Sequence, residues 1–500
     1  MSPAWLALLL VLWAPHDACG ANEKKVVCYL GSWAAYRNGN GQFEIEYIQP
    51  ELCTHLVYSF VGITSAGEVK ILDPWMDLPS GKNGYNRFNS LKSANTKTLI
   101  AIGGWNEGST TFSAVANDPT LRARFAQNAA AFVGKYGFDG LDVDWEYPAN
   151  RGGAASDLVA FVELLKALRT EFDKYGYILS AAVGAARDLI GTGYDVPQLS
   201  KYLDFINMMA YDFHGSWDQK TGQNAPLYAS SADTTEAERQ LNVDASVRYW
   251  IQSGVDPSKL ILGMGTYGRT FTLSSATNSG VGAPASGPGN GGPYTYQPGM
   301  LGYNEICEKI KAGGWTVTWD DQQKVPYAVS GNQWVGYDNE ESIRIKSQYA
   351  LAMNLGGAMI WSLETDDFRG LCGAGKYPLL STINGVLRGV RSHNSTAATV
   401  WNTPTASSSG GSNGWGSSST PGASGSGSGL GSLPGGNVTA ATPALLCRAP
   451  GYMRDRHDCG VFYYCSASFG AYAASKFQCP AGLAFDPRTS ICNYRNLVSC

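Results

Sequence analysis

The segment Phe138-Asp139-Gly140-Leu141-Asp142-Val143-Asp144-Trp145-Glu146-Tyr147 sets three carboxyl groups at alternate positions. On an extended strand, alternate side chains share a face, so Asp142, Asp144 and Glu146 point the same way. Carboxylates a few ångströms apart resist joint ionisation, which raises one pKa and favours a shared proton. An acid catalyst needs that property near neutral pH. Two simpler roles also fit an acidic triplet, the polar edge of a strand or a calcium site. The flanks argue against both. Leu141 and Val143 on the other face require a buried strand, and Trp145 and Tyr147 set large rings beside the acids.

The elements that must position this row are legible as an alternation. From about residue 25 to 390, short apolar β-rich runs alternate with amphipathic helical patterns. Strands are expected at Lys25–Tyr29, His55–Phe60, Thr98–Ile102, Gly140–Asp144, Ile178–Val183, Phe205–Met209, Leu260–Met264 and Gly357–Trp361. Helical stretches include Leu121–Tyr136, with Leu121, Phe125, Phe132 and Tyr136 on one stripe, and Leu158–Tyr175. Eight such β/α alternations imply a TIM (β/α)8 barrel whose strand C-termini supply the active site. Strand three then runs into Gly103-Gly104-Trp105-Asn106 and strand six into Met209-Ala210-Tyr211-Asp212. Strand seven runs into Tyr267-Gly268-Arg269, and strand eight ends at Trp361. The gap between strands seven and eight is too long for one crossover. Its residues, about 270 to 340, hold Tyr-rich short runs and a helix-like Tyr303–Ala312.

Composition narrows the class. A chain of 500 residues with 44% apolar content buries at least one large core and has room for more than one domain. A formal charge of -4 with 37 basic residues gives no footprint for nucleic acid. Residues 1–20 read as a secretory signal, with an apolar run Trp5–Trp13 followed by Ala18-Cys19-Gly20. That run is too short for a membrane span. Loss of Cys19 with the signal leaves ten cysteines, an even number suited to an oxidising, extracellular compartment. The five histidines are scattered, and His214 reads as a hydrogen-bonding neighbour of strand six rather than a ligand. Neither a metal set nor a phosphate-binding loop emerges, so no cofactor is expected.

Residues 393–443 are dominated by Ser, Gly, Thr and Ala and read as a flexible linker, with sequons at Asn394 and Asn437. The segment 444–500 contains Cys447, Cys459, Cys465, Cys479, Cys492 and Cys500. So short a segment is not stable on core burial alone, and three disulfides are the natural reading. Zinc is the rival, disfavoured by secretion and by the lack of any C-x₂-C pair.

The acidic segment resembles glycoside hydrolase family 18, whose D-G-x-D-x-D-x-E motif is matched by Asp139, Gly140, Asp142, Asp144 and Glu146. Gly103-Gly104 resembles the same family's second motif. The resemblance implies a TIM barrel with a small α+β insertion walling a deep cleft. It implies that Glu146 protonates the leaving glycosidic oxygen while the substrate's own N-acetyl carbonyl attacks C1, a substrate-assisted exception to the two-carboxylate scheme. Asp144 would bind the acetamido N–H, Asp142 would share its proton, and Asp139 would support the row from behind. Tyr211 would hold the acetamide oxygen, with Asp212 beside it, and Trp361 would floor the cleavage site. Trp33, Tyr36, Trp105, Trp217, Tyr267 and Arg269 are further cleft candidates. The family pattern also implies disulfides Cys28–Cys53 and Cys307–Cys372, and cis peptides at Ser59–Phe60, Glu146–Tyr147 and Trp361–Ser362.

The C-terminal spacing, with Cys479-Pro480-Ala481-Gly482-Leu483 and Phe485-Asp486-Pro487, resembles the peritrophin-type chitin-binding domain. That family implies pairing Cys447–Cys465, Cys459–Cys500 and Cys479–Cys492. The first interval is short, and Tyr494 stands where many members carry Trp. Phe462, Tyr464, Tyr472 and Tyr494 are its ring candidates for ligand or core.

Together these resemblances imply a secreted, monomeric, endo-acting chitinase that binds chitin and chitooligosaccharides, without nucleic acid or membrane partners. A non-catalytic chitin-binding lectin on the same barrel is the alternative from another class. Family lectins typically replace the acid, whereas Glu146, Asp144 and Asp142 are all present. Cleavage of N-glycan chitobiose cores is a third reading, which the insertion and the chitin module disfavour.

Overall fold

The computed structural model describes residues 23–389 and, toward the C-terminus, residues 451–455, 457–468, 471–479, 483–487, 491–495 and 498. The expected signal (1–20) and linker (393–443) lie outside the described residues. The chain divides into two units, Met1–Trp401 and Asn402–Cys500.

Eight parallel strands close on themselves in the first unit. In chain order they are Lys25–Gly31, His55–Ile63, Lys97–Gly103, Gly140–Asp144, Ile178–Gly184, Phe205–Met209, Leu260–Gly265 and Gly357–Trp361. Each pairs with the next, and the first pairs with both the second and the eighth. This is the TIM barrel expected from the alternation. Its strands are buried on both faces, which explains why they read as near-continuous apolar runs. The second strand runs three residues past Phe60, because Val61–Ile63 pairs antiparallel with Val69–Ile71.

The helices follow their local signals. Pro119–Tyr136 begins two residues before the expected Leu121: Asp118 caps it by accepting from the Thr120 and Leu121 amides, and Pro119 opens the first turn. Gly137, at φ 76°, ends it in the left-handed conformation that glycine adopts without steric cost. Phe125 and Phe132 are buried on its inner stripe, with Leu121 and Tyr136 packed beside them. The helix expected over Leu158–Tyr175 runs instead over Asp157–Phe172, and the chain then turns at Gly176, φ 69°.

Between strands seven and eight lies the α+β insertion. Its antiparallel sheet runs in the order Ala285–Pro288, Tyr267–Leu273, Gln333–Gly336, Val325–Ser330 and Thr316–Asp320, with Met300–Gly302 also paired to Tyr267–Leu273. The helix Tyr303–Ala312 accompanies it. Phe271 and Trp334, both fully buried, centre its small core with Leu273 and Ala283. The insertion starts at Tyr267, slightly before the expected residue 270, so Tyr267 and Arg269 belong to its first strand. Disulfides Cys28–Cys53 and Cys307–Cys372 are formed. Ser59–Phe60, Glu146–Tyr147 and Trp361–Ser362 are cis.

The second unit holds a three-stranded antiparallel sheet, Gly451–Arg454, Val461–Ser468 and Ala471–Gln478, and a two-stranded one, Leu483–Asp486 with Ile491–Tyr494. The Phe462 ring stacks on the buried Phe485 with centroids 4.4 Å apart, which places this ring candidate in the module's core. Cys459 and Cys479 each take part in a disulfide. The expected pairing rests also on Cys447, Cys465, Cys492 and Cys500, whose side chains lie outside the described residues, as do those of Tyr464, Tyr472 and Tyr494.

Candidate active site

Barrel register builds the acidic row from below. Asp142 pairs with Ser180 on the fifth strand, so the two side chains share a face, and the Ser180 hydroxyl donates to Asp142 Oδ1 at 2.6 Å. Asn207 Nδ2 donates to the same oxygen at 3.1 Å, and the Tyr29 hydroxyl donates to Oδ2 at 2.7 Å. These bonds partly offset the burial that pushes the Asp142 carboxyl up. One step along, Asp144 has no such support. Its Oδ1 is buried without a hydrogen-bond partner. Burial, then the charges of Glu146 and Asp142, push its carboxyl well above the usual range.

Glu146 follows just past the strand end. Burial pushes its carboxyl up to about 7, against hydrogen bonding from Tyr147 and the charge of Arg151. Between the acids, Trp145 points the other way and is locked under the barrel's outer layer. Its ring stacks on Phe112 at 5.3 Å, and its Nε1 donates to Ser109 Oγ at 3.0 Å. Ser109 in turn donates to the Tyr147 carbonyl at 2.8 Å. Thus apolar and aromatic anchors on one face hold the carboxyl groups on the other.

The Gly103-Gly104 pair packs against this row. A Cβ on Gly103, φ 112°, would stand 2.1 Å from the Asp144 carbonyl oxygen. The Gly104 amide donates to that same oxygen at 2.9 Å. A side chain at position 103 would push the third strand off the fourth.

A cleft of about 1220 Å³ opens over Asp144 and Glu146. Trp33, Tyr36, Trp105, Tyr211, Asp212, Trp217, Tyr267, Arg269 and Trp361 all line it, while Asp142 lies beneath. Trp361 is half-buried and stacks on Phe60 at 5.7 Å, tilted toward Trp33 at 6.2 Å, so it presents a face to the cleft instead of filling the core. Trp33, Tyr36, Trp105 and Trp217 are exposed rings, suited to stacking on sugar. The Tyr36 hydroxyl donates to Asp73 Oδ2 at 2.7 Å. Asp212 is gripped by the Arg269 guanidinium and the Tyr267 hydroxyl, and Arg269 also lies 5.2 Å from the Trp217 ring. The Tyr211 hydroxyl makes a long contact, 3.9 Å, with Met359 Sδ.

One sequence expectation changes. Asp139 does not reach the row. It stands at the opposite end of the fourth strand, about 10 Å before Asp142 at strand rise. There its Oδ2 accepts from the Thr98 amide at 2.8 Å, and its Oδ1 pairs with Lys92 at 2.9 Å. It therefore fastens the strand's start. Of the two roles open to Phe462, its stack on Phe485 favours core packing. His214 lies outside the cleft, hydrogen-bonded to Asp218 at 3.0 Å. Among the described residues, Cys307, Asp367 and Cys372 cluster closely enough for a metal, but the two cysteines are bonded to each other. Asp367 there accepts from the Leu371 and Cys372 amides.

The residues missed from sequence are those that hold the row, Tyr29, Ser180, Asn207 and Arg151, together with Phe60 under Trp361. A signal for two of them exists. Ser180 and Asn207 are lone polar residues inside the apolar runs Ile178–Val183 and Phe205–Met209.

Comparison with known proteins matches this geometry. Residues 25–366 match the family model Glycosyl hydrolases family 18, and residues 447–500 match the Chitin binding Peritrophin-A domain. "Probable chitinase 2" of Drosophila melanogaster is 43% identical, over 76% of this chain and 85% of its own length. The Group IV chitinase of Ostrinia furnacalis, solved in complex with allosamidin, is 47% identical with a TM-score of 0.72, covering 74% of this chain and 100% of that one. Human YKL-39, described as a pseudo-chitinase with retained chitooligosaccharide binding properties, is 41% identical with a TM-score of 0.67, covering 73% of this chain and 99% of that one. Among the described residues no helix is long and apolar enough to cross a membrane. With a family model spanning its whole barrel and an acidic row matching that family's motif, the chain belongs to glycosyl hydrolase family 18.

Proposed function

We propose that the protein is a secreted chitinase that hydrolyses β-1,4-linked N-acetylglucosamine polymers with retention, using the substrate's acetamido group as the nucleophile. The observation that carries this reading is the commitment of the cleft's carboxylates. Glu146 and Asp144 come from one strand and approach a bound sugar from the same side. Asp212, after another strand, is engaged by Arg269 and Tyr267. The other carboxylates described along the cleft are likewise engaged, Asp73 by Tyr36, Asp77 by Tyr58 and Tyr85, Glu364 by Ser362 and the Gly31 amide, and Glu107 by the Ile63 backbone. This favours a route that needs no carboxylate nucleophile.

In the first step, protonated Glu146 gives its proton to the glycosidic oxygen. The acetamido carbonyl oxygen bonds to C1 as the C1–O bond breaks, and the leaving sugar departs with the proton. Asp144, whose Oδ1 lacks a protein partner, accepts the acetamido N–H and balances the positive oxazolinium ion. Tyr211 donates to the acetamide oxygen and aims it. In the second step, Glu146 takes a proton from water, which bonds to C1 and opens the ring. Two inversions give net retention.

The wider organisation proposed is a signal at 1–20, a catalytic barrel at 21–392, a linker at 393–443 and a chitin-binding module at 444–500, working as a monomer. Tethering through a linker of about 50 residues would raise the barrel's local concentration on insoluble polymer. The lectin alternative gains weight from the likeness to YKL-39, since this fold also serves binding without catalysis. The intact Glu146, Asp144 and Asp142 favour hydrolysis. Proton NMR of chitohexaose digestion tests the mechanism: β-anomeric product must appear first and mutarotate to α. An initial α-anomer would overturn the substrate-assisted route, and unchanged substrate would return the case to the lectin.

A further inference from the structure

Beside the acid, one side chain fastens two loops. Arg151 Nη1 donates to the Glu146 carbonyl at 2.9 Å, and Nη2 donates to the Trp105 carbonyl at 2.9 Å. Its guanidinium carbon also lies 3.6 Å from the Trp105 ring centroid, the spacing of a flat stack. Trp105 is 58% exposed and lines the cleft, whereas Arg151 does not line it. Arg151 therefore covers the indole face turned away from the cleft and leaves the other face to a ligand. Among the described residues, no carboxylate forms a salt bridge with Arg151, so this guanidinium is committed to the two carbonyls and the ring.

We propose that Arg151 is a positioning residue that fixes the Trp105 ring as a saccharide platform in register with Glu146, coupling sugar binding to placement of the acid. This inference rests on the chitinase reading of the cleft. The physical reason is preorganisation. An exposed indole following two glycines samples several orientations, and ordering it on binding costs affinity. A guanidinium that stacks on the ring while gripping the backbone on both sides removes that cost in advance. Ser109 supports the same joint, since its bonds to Trp145 and Tyr147 tie the Trp105 loop to the residues flanking Glu146.

The charge adds an independent readout. The groups acting on the Glu146 carboxyl are Asp144 on its own strand, Tyr147 and Arg151 just after it, Tyr194 beyond the fifth strand, and Tyr211 and Asp212 after the sixth. Arg151 is the cation among them, and it holds the carboxyl down. Removing it should raise the Glu146 pKa and carry the alkaline limb of kcat/KM to higher pH, because Glu146 works in its protonated form.

The test is a double-mutant cycle on the full chain with chitohexaose. Arg151→Met should raise KM about three- to tenfold, change kcat by a smaller factor and shift the alkaline limb upward. Arg151→Lys should restore the limb and leave KM raised, because an ammonium cannot stack flat and bridge two carbonyls. Trp105→Ala should raise KM similarly, and Trp105→Ala/Arg151→Met should be no worse than Trp105→Ala alone. Multiplying KM effects, or a Lys variant that restores KM, would overturn the proposal. If the wild-type chain fails to hydrolyse chitohexaose, the chitinase reading falls. The same cycle read in calorimetric affinity for chitohexaose then decides the role of Arg151 independently.

Discussion

Arg269 holds Asp212 in a two-pronged fork, Nε donating to Oδ1 at 2.7 Å and Nη2 to Oδ2 at 2.6 Å. The Tyr267 hydroxyl adds a third bond to Oδ1 at 2.6 Å. The fork joins the insertion's first strand to the loop after the sixth barrel strand, across the wall of the cleft. It also sets a cation against a carboxylate whose charge acts on Glu146. Burial pulls the Arg269 pKa down, but the bonds to Asp212 and its charge outweigh that, raise the pKa and hold the guanidinium charged.

Breaking this fork should therefore affect both binding and proton transfer. Arg269→Met leaves Asp212 negative beside the acid and removes the cation facing Trp217. The expected outcome is a fall of about tenfold or more in kcat/KM, with the alkaline limb displaced to higher pH. Steady-state kinetics across pH check it. Unchanged kinetics would mean that the fork serves only to fasten the insertion.

The raised pKa of Glu146 also makes a statement about stability. Its carboxyl is held near 7 in the folded protein, against an ordinary value near 4.5. A carboxyl with a raised folded pKa favours the folded state fully below the unfolded value and loses that favour as pH climbs to the folded one. Glu146→Gln removes this dependence. The variant should match the wild type in denaturant unfolding near pH 4 and become more stable with rising pH, by at most about 3 kcal/mol above pH 7. Parallel stability curves for the two proteins would contradict the assigned shift.

Much of this site is legible in sequence because a strand's period of two is fixed by its backbone. Asp142, Asp144 and Glu146 could be placed on one face from spacing alone, and all the named site residues except Asp142 and Asp139 line the cleft. What escapes is register between strands distant in sequence. Tyr29, Ser180 and Asn207 reach Asp142 across 113, 38 and 65 residues, and only barrel closure brings them together. Asp139 misleads for the converse reason: it belongs to the motif, yet strand rise carries it to the other end of the barrel. Arg151 is near Glu146 in sequence, but nothing in its position announces that it turns back onto Trp105. An element end shifts where a local cap decides, as at Asp118, while Gly137 ends the same helix at the expected Tyr136.

The C-terminal module should act on surface attachment alone. Deleting residues 444–500 is expected to weaken adsorption to crystalline chitin while leaving turnover of soluble oligomers nearly unchanged. Pull-down on crystalline chitin and oligomer kinetics on the same preparation check this. Equal losses in both would show that the module supports the barrel's fold.

The most direct measurement on the central claim is hydrolysis of chitohexaose by the Glu146→Gln protein, with binding followed by calorimetry on the same sample. Gln is nearly isosteric but has no transferable proton, and general acid catalysis is typically worth about 10²–10⁴-fold. Activity should fall by at least that range while the oligomer still binds. Near-normal turnover in the Glu146→Gln protein would contradict the assignment of Glu146 as the acid.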